Sequence, residues 1–199
     1  QNYSNAQYLL GKIYSKGISI QRNIEKAIEL LKLSSEQNNP LAQYLLGKIY
    51  IKGEYITTNY DEAIKYLTDS ANNNNPKAQY ILGHHYSKYP SSYNDIIYAI
   101  DLLNKSANQK NSDAQFLLGL IFYEGKIEKM NINKSIHFFK LAAEQDNPIA
   151  NFILGLIYYE GKYIKRNINE ALFYLNKSSK LNDSSANVLL GVIYYEGIY

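Results

Sequence analysis

Residues 42–53 read Ala-Gln-Tyr-Leu-Leu-Gly-Lys-Ile-Tyr-Ile-Lys-Gly, and residues 6–17 repeat that string except for Ser15 in place of Ile51. The step is 36 residues, and it holds along the chain. Glycine recurs at Gly11, Gly47, Gly83, Gly119, Gly155 and Gly191, alanine at Ala6, Ala42, Ala78, Ala114, Ala150 and Ala186. A third small column runs Ala27, Ala63, Ala99, Ser135, Ala171. Self-similarity at a period of about 20–50 residues marks a solenoid, in which each unit buries its apolar face only against its neighbours.

Each period contains two helices. Asn39 before Pro40 starts the first (helix A), because proline's missing N–H needs no partner at the first helical position. Asn75, Asn111, Asn147 and Asp183 occupy the same cap column. Glycine ends helix A in the left-handed conformation at Gly17, Gly53, Gly125, Gly161 and Gly197. A seven-residue loop then leads to a second cap, Asn23, Asn59, Asp95, Asn131 or Asn167, which opens helix B. Apolar positions in both helices follow a period near 3.6. The expected architecture is all-α, one array over 1–199 with units at about 3–38, 39–74, 75–110, 111–146 and 147–182 and a partial unit 183–199. Glycine inside a helix costs about 0.5–1 kcal/mol against alanine. Six such glycines therefore predict a neighbouring helix too close for a Cβ.

Composition narrows the function. Apolar residues are 46% and charged residues 20%, as in folded globular chains. A net charge of +3 does not mark a nucleic-acid binder. There is no cysteine, so disulfides and thiolate chemistry are excluded, which suits a reducing compartment such as the cytoplasm. The apolar run from Phe116 to Tyr123 is far shorter than the roughly 20 residues of a membrane helix. The chain opens at Gln1 inside a repeat and stops at Tyr199 after half of one, as a fragment or processed form would.

The repeated string, followed by Asn-x-x-Lys-Ala at Asn23 to Ala27, resembles the Sel-one-like repeat, a relative of the tetratricopeptide repeat with a longer A–B loop. The resemblance covers essentially the whole chain. It implies a right-handed α/α superhelix with helix A on the concave side, and a non-enzymatic adaptor that binds other proteins. The family's loop valine is matched by Ile20, Ile56 and Ile164, while Ser92 and Glu128 depart from it. Tyr89-Pro90 replaces the terminal glycine in the third repeat, so that loop should be the least regular. One branch of the family is associated with penicillin binding and β-lactamase activity and carries paired cysteines. This chain lacks them, which leaves hydrolase activity as the weaker alternative, beside a structural subunit of a larger assembly.

No catalytic or metal site is expected, and no cofactor. His84 and His85 are adjacent and point about 100° apart on a helix, so they cannot easily share a metal. His85 falls in an isoleucine column and should be buried, whereas His137 falls in a solvated one. No phosphate loop, nucleophile elbow or paired acid–base carboxylates occur. The sequons at Asn2, Asn104, Asn133, Asn176 and Asn182 follow from an asparagine-rich composition. The tyrosine column Tyr14, Tyr50, Tyr86, Tyr158, Tyr194 should pack between repeats.

If helix A lines the groove, three variable columns face it. They read Lys12, Lys48, His84, Leu120, Leu156, Val192; then Ser15, Ile51, Ser87, Tyr123, Tyr159, Tyr195; then Lys16, Lys52, Lys88, Glu124, Glu160, Glu196. All change character after the third repeat, from basic to apolar and aromatic with an acidic edge. A lysine in a last helical turn suits the dipole and a glutamate there does not; Lys126 and Lys162 are local partners for Glu124 and Glu160. The expected ligand is a peptide or helix segment of another protein, acidic over Lys12, Lys48 and Lys52 and anchored near Leu120, Tyr123, Leu156 and Tyr159. Neither nucleic acid nor membrane insertion is expected. The last helix A lacks a helix B to cover Leu190, Ile193 and Tyr194, so an end or subunit contact is expected there.

Overall fold

A computed structural model describes residues 3–17, 20–53, 59–125 and 130–197. Asn2, Ile56, Lys126 and Glu128, singled out above, lie outside them. The described residues hold eleven helices and no strand: α1 (Tyr3–Lys16), α2 (Ile24–Glu36), α3 (Pro40–Lys52), α4 (Tyr60–Asn72), α5 (Pro76–Lys88), α6 (Tyr93–Asn108), α7 (Ser112–Glu124), α8 (Ile132–Ala143), α9 (Pro148–Glu160), α10 (Ile168–Lys180) and α11 (Ser184–Tyr195). Odd-numbered helices are the A helices, even-numbered ones the B helices, and they alternate in five A–B pairs. They form two compact units, 1–109 and 110–199, each an antiparallel stack with its own core.

The cap columns are realised as read. Asn39, Asn75, Asn111, Asn147 and Asp183 each accept backbone N–H bonds at the start of an A helix, and Gly53, Gly125 and Gly161 end theirs at φ 60–65°. Asn23, Asn59, Asn131 and Asn167 cap B helices. Their own N–H groups donate back to the carbonyls of Tyr14, Tyr50, Phe122 and Tyr158, which pins the long loop to its A helix.

The third repeat differs. Its cap is Ser92, not Asp95. The Ser92 hydroxyl accepts from the Asp95 N–H at 3.3 Å while the Asp95 carboxylate accepts from Ser91 and Ser92 at 2.7 and 3.0 Å, a capping box. This starts α6 three residues early, lengthening it to 16 residues. Without a terminal glycine, α5 ends at Tyr89 with φ −128°.

The small columns are close-contact positions in the first five repeats, whereas at Gly191, contrary to the expectation for all six glycines, an added Cβ would meet nothing within 4 Å. An added Cβ would come within 2.8 Å of Leu31 at Gly11, 2.6 Å of Leu67 at Gly47 and 2.5 Å of Phe139 at Gly119. Ala27, Ala63, Ala99, Ser135 and Ala171 are fully buried on the facing helix, with the Ser135 hydroxyl bonded to the Gly119 carbonyl at 2.9 Å. The partner side chains Leu31, Leu67, Leu103, Phe139 and Leu175 are fully buried as well.

Polar columns stitch the same joints. Ser70, Ser106 and Ser178 donate to the carbonyls of Pro40, Pro76 and Pro148 at 2.6–2.8 Å. Side-chain amides link A and B helices in four repeats: Gln37 to Gln7, Asn73 to Gln43, Gln109 to Gln79 and Gln145 to Gln115, at 2.6–3.0 Å. Asn38, Asn74, Lys110, Asp146 and Asn182 take φ of 57–65° where each B helix turns into the next A helix. Asparagine and aspartate tolerate this left-handed region better than other residues with a Cβ.

Candidate interaction faces

In the N-terminal unit the A helices α1, α3 and α5 carry six lysines, two in each, and no carboxylate. Lys16, Lys52 and Lys88 are exposed in last turns. Lys12 and Lys48 are half-buried because each ammonium lies over the ring of the tyrosine one turn earlier, 5.8 Å from Tyr8 and 5.6 Å from Tyr44. In the third repeat His84 stacks on Tyr80 at 6.1 Å in the same arrangement. Burial, with Lys88 and His85 adding to it, holds the His84 imidazole below its ordinary value. Ile51 is half-buried against the cluster of Leu67 and Leu82. Ser15 is buried, with its hydroxyl donating to the Lys12 carbonyl at 2.9 Å, so it is not a groove residue.

The N-terminal halves of these helices also frame a cleft of about 330 Å³. Tyr8, Pro40, Leu41, Tyr44, Pro76 and Lys77 line it, with turn residues 73–75. Leu41 is 46% exposed. Burial pushes the Tyr44 phenol up, against the pull of Lys77. The repeat columns hid this cleft, because Pro40 reads as a helix start and the tyrosines as packing. A leucine at the cap-proximal position of α3, where Lys77 stands one repeat later, was the available signal.

In the C-terminal unit α7, α9 and α11 carry Asp113, Glu124 and Glu160 and no lysine or arginine. Leu120 and Tyr123 pack half-buried against the cluster containing Phe139 and Leu154. Leu156 is half-buried and Val192 39% exposed. Tyr123 meets Tyr163 edge-on at 6.1 Å, and its phenol is raised by burial and then by Glu160. The Tyr159 hydroxyl donates to Glu196 at 3.0 Å while the Arg166 guanidinium lies 5.0 Å over its ring. Glu124 and Glu160 are exposed, and Tyr195 is 94% exposed. Lys162, expected beside Glu160, lies 4.9 Å over the Tyr163 ring, and its ammonium is raised chiefly by Tyr163, with Glu160 adding less.

Two pairs of tyrosines stack within repeats. Tyr50 lies parallel to Tyr66 at 5.8 Å and Tyr158 to Tyr174 at 5.9 Å, each pair joining an A helix to its own B helix. The preceding B helix adds Lys32 and Lys140, whose ammonium groups are raised by hydrogen bonds to Tyr50 and Tyr158. His85 is half-buried rather than buried, against Tyr86 and Tyr89; His137 is exposed. Three sequons close on buried helical serines, Ser106, Ser135 and Ser178, already committed to packing bonds. Among the described residues no group of three His, Cys, Asp or Glu could hold a metal, and no helix is long and apolar enough to cross a membrane.

Comparison with known proteins agrees with this geometry. The Sel1 repeat pattern matches five times without a gap, at residues 4–39, 40–75, 76–111, 112–147 and 148–183. The fold is similar to that of a Sel1 repeat protein from Oxalobacter formigenes, at 24% identity and TM-score 0.88, over 98% of this chain and 80% of that one. A Sel1 repeat protein from Klebsiella pneumoniae is similar at 22% identity and TM-score 0.57, over 96% and 93%. An immunity protein from Pseudomonas aeruginosa is similar at 21% identity and TM-score 0.57, over 94% and 69%. No curated protein sequence matches this one significantly. Five consecutive units on one pattern place the chain in the Sel1 repeat family, whose solenoids generally act as non-enzymatic scaffolds for protein interactions.

Proposed function

We propose that the helix-A faces bind segments of a partner protein, with an acidic stretch engaging the N-terminal unit and apolar side chains engaging the C-terminal unit. The supporting observation is the segregation of charge: six lysines and no carboxylate on α1, α3 and α5, three carboxylates and no basic residue on α7, α9 and α11. Helix dipoles account for Lys16, Lys52 and Lys88 at C-terminal ends, each favourable by about 0.3–1 kcal/mol. They do not account for Lys12 and Lys48 in mid-helix, and they oppose Lys77 in a first turn. Those lysines serve no fold requirement that the dipole supplies, and a field of one sign steers an oppositely charged partner. Leu120, Tyr123, Leu156 and Tyr159 offer the aromatic and aliphatic surface on which such interfaces concentrate their energy.

The test is a displayed peptide library selected on the intact chain and on the Lys12→Glu/Lys48→Glu variant. Wild-type protein should enrich peptides rich in Asp and Glu, with affinity that falls as salt rises. The variant should lose that enrichment. Equal binding by both proteins at low and high salt would remove the basic face from the proposal.

A further inference from the structure

We infer that the cleft framed by the N-terminal halves of α1, α3 and α5 is an anchor pocket for one bulky apolar side chain, aromatic or branched aliphatic, carried on an acidic segment. The inference rests on the reading of the basic face above and specifies what that face selects. At about 330 Å³ the cleft lies at the small end of ligand-holding sites, which span about 300–1,000 Å³, and so suits a single side chain. Tyr8, Pro40, Leu41, Tyr44 and Pro76 supply its apolar lining. Leu41 is 46% exposed beside Ala42, which is fully buried and serves the core at that level. The two prolines have fixed backbone torsions and the tyrosines are held by half-burial, so little order is lost when the pocket fills.

Charge decides what surrounds the anchor. No carboxylate lines the cleft, and Lys77 does. The ammonium groups of Lys12 and Lys48 lie over the rings of Tyr8 and Tyr44, the same two rings that line the pocket. An apolar side chain entering here brings its flanking residues under three cations. Flanking aspartates or glutamates are attracted, and flanking lysines or arginines repelled.

Three nine-residue peptides test this on the intact chain: a central Phe flanked by Asp and Glu, the same peptide with a central Ala, and a central Phe flanked by Ser. Binding is followed by amide shifts in nitrogen-15 spectra. The acidic Phe peptide should shift the amides of Leu41, Tyr44 and Lys77 and bind at least about ten-fold tighter than either control, a step of about 1.4 kcal/mol. Leu41→Ser, at an exposed position, should remove most of that advantage while leaving the acidic Ala peptide unaffected. Equal binding of the acidic Phe and Ala peptides overturns the pocket and spares the basic face. Failure of both acidic peptides overturns the basic face and the pocket with it. Loss of the Leu41 and Tyr44 signals through salt-sensitive self-association, or larger shifts with a single-stranded oligonucleotide, overturns the proposal in favour of a second copy or a nucleic acid.

Discussion

A methyl group added at Gly155 would sit 2.6 Å from Leu175 Cγ, whereas one added at Gly191 meets nothing within 4 Å. Two positions of one column should therefore respond in opposite directions. Gly155→Ala must displace a fully buried leucine, and overpacking of this kind costs about 1–3 kcal/mol. Gly191→Ala gains helix propensity unopposed, worth about 0.5–1 kcal/mol. Urea unfolding of the two variants checks the pair, and a loss of stability at Gly191 would show that the close-contact account is wrong. A second contrast lies in the amide ladder. In the fifth repeat its positions are Asn151 and Leu181, and the buried Asn151 Oδ1 has no hydrogen-bond partner. Its Nδ2 turns back to the Asn147 carbonyl at 2.9 Å. Asn151→Gln with Leu181→Gln should rebuild the link seen between Gln79 and Gln109 and raise stability by about 1 kcal/mol. An unchanged urea midpoint would argue that this joint is already satisfied.

The ends of helices are where the sequence could be read and where it misled. Asparagine before proline and glycine after a periodic run each act within one turn, so Asn39-Pro40 and Gly53 located α3 without tertiary information. Asp95 fits the cap column equally well, yet Ser92 caps α6, because a serine three residues before an aspartate makes two reciprocal bonds where Asp95 alone makes one. Ser92→Ala should cost about 1 kcal/mol and speed hydrogen exchange in the first turn of α6. Unaltered exchange there would assign the early start to packing rather than the cap. The charge switch from Lys16, Lys52 and Lys88 to Glu124 and Glu160 was legible because equal spacing makes columns directly comparable. The cleft was not, because Tyr8, Leu41 and Lys77 come from three helices and meet only through stacking distances that no local pattern encodes. The four amide links escaped notice for the same reason, their partners being 30 residues apart.

Across the whole molecule the tyrosines set the response to alkali. Burial raises the phenols of Tyr44, Tyr66 and Tyr98 in the N-terminal unit and of Tyr123 and Tyr174 in the C-terminal one. Lys32 and Lys140 are raised through their hydrogen bonds to Tyr50 and Tyr158. A folded-state value above the unfolded one means that the stabilisation is complete below about pH 10 and is lost as pH climbs through the raised values. Melting temperature followed by circular dichroism should therefore hold steady from about pH 8 to 9.5 and fall beyond about pH 10. A flat profile to about pH 11 would contradict this. The parallel pairs have a further consequence, for observation. With no tryptophan in the chain, near-ultraviolet absorption and emission come from tyrosine, with phenylalanine a faint addition. Tyr50 with Tyr66 and Tyr158 with Tyr174 are coupled chromophores, one pair in each unit. Replacing one tyrosine of either pair by phenylalanine leaves one parallel pair, so the difference from the unaltered protein's near-ultraviolet signal reports the opening of one half of the protein without an added label.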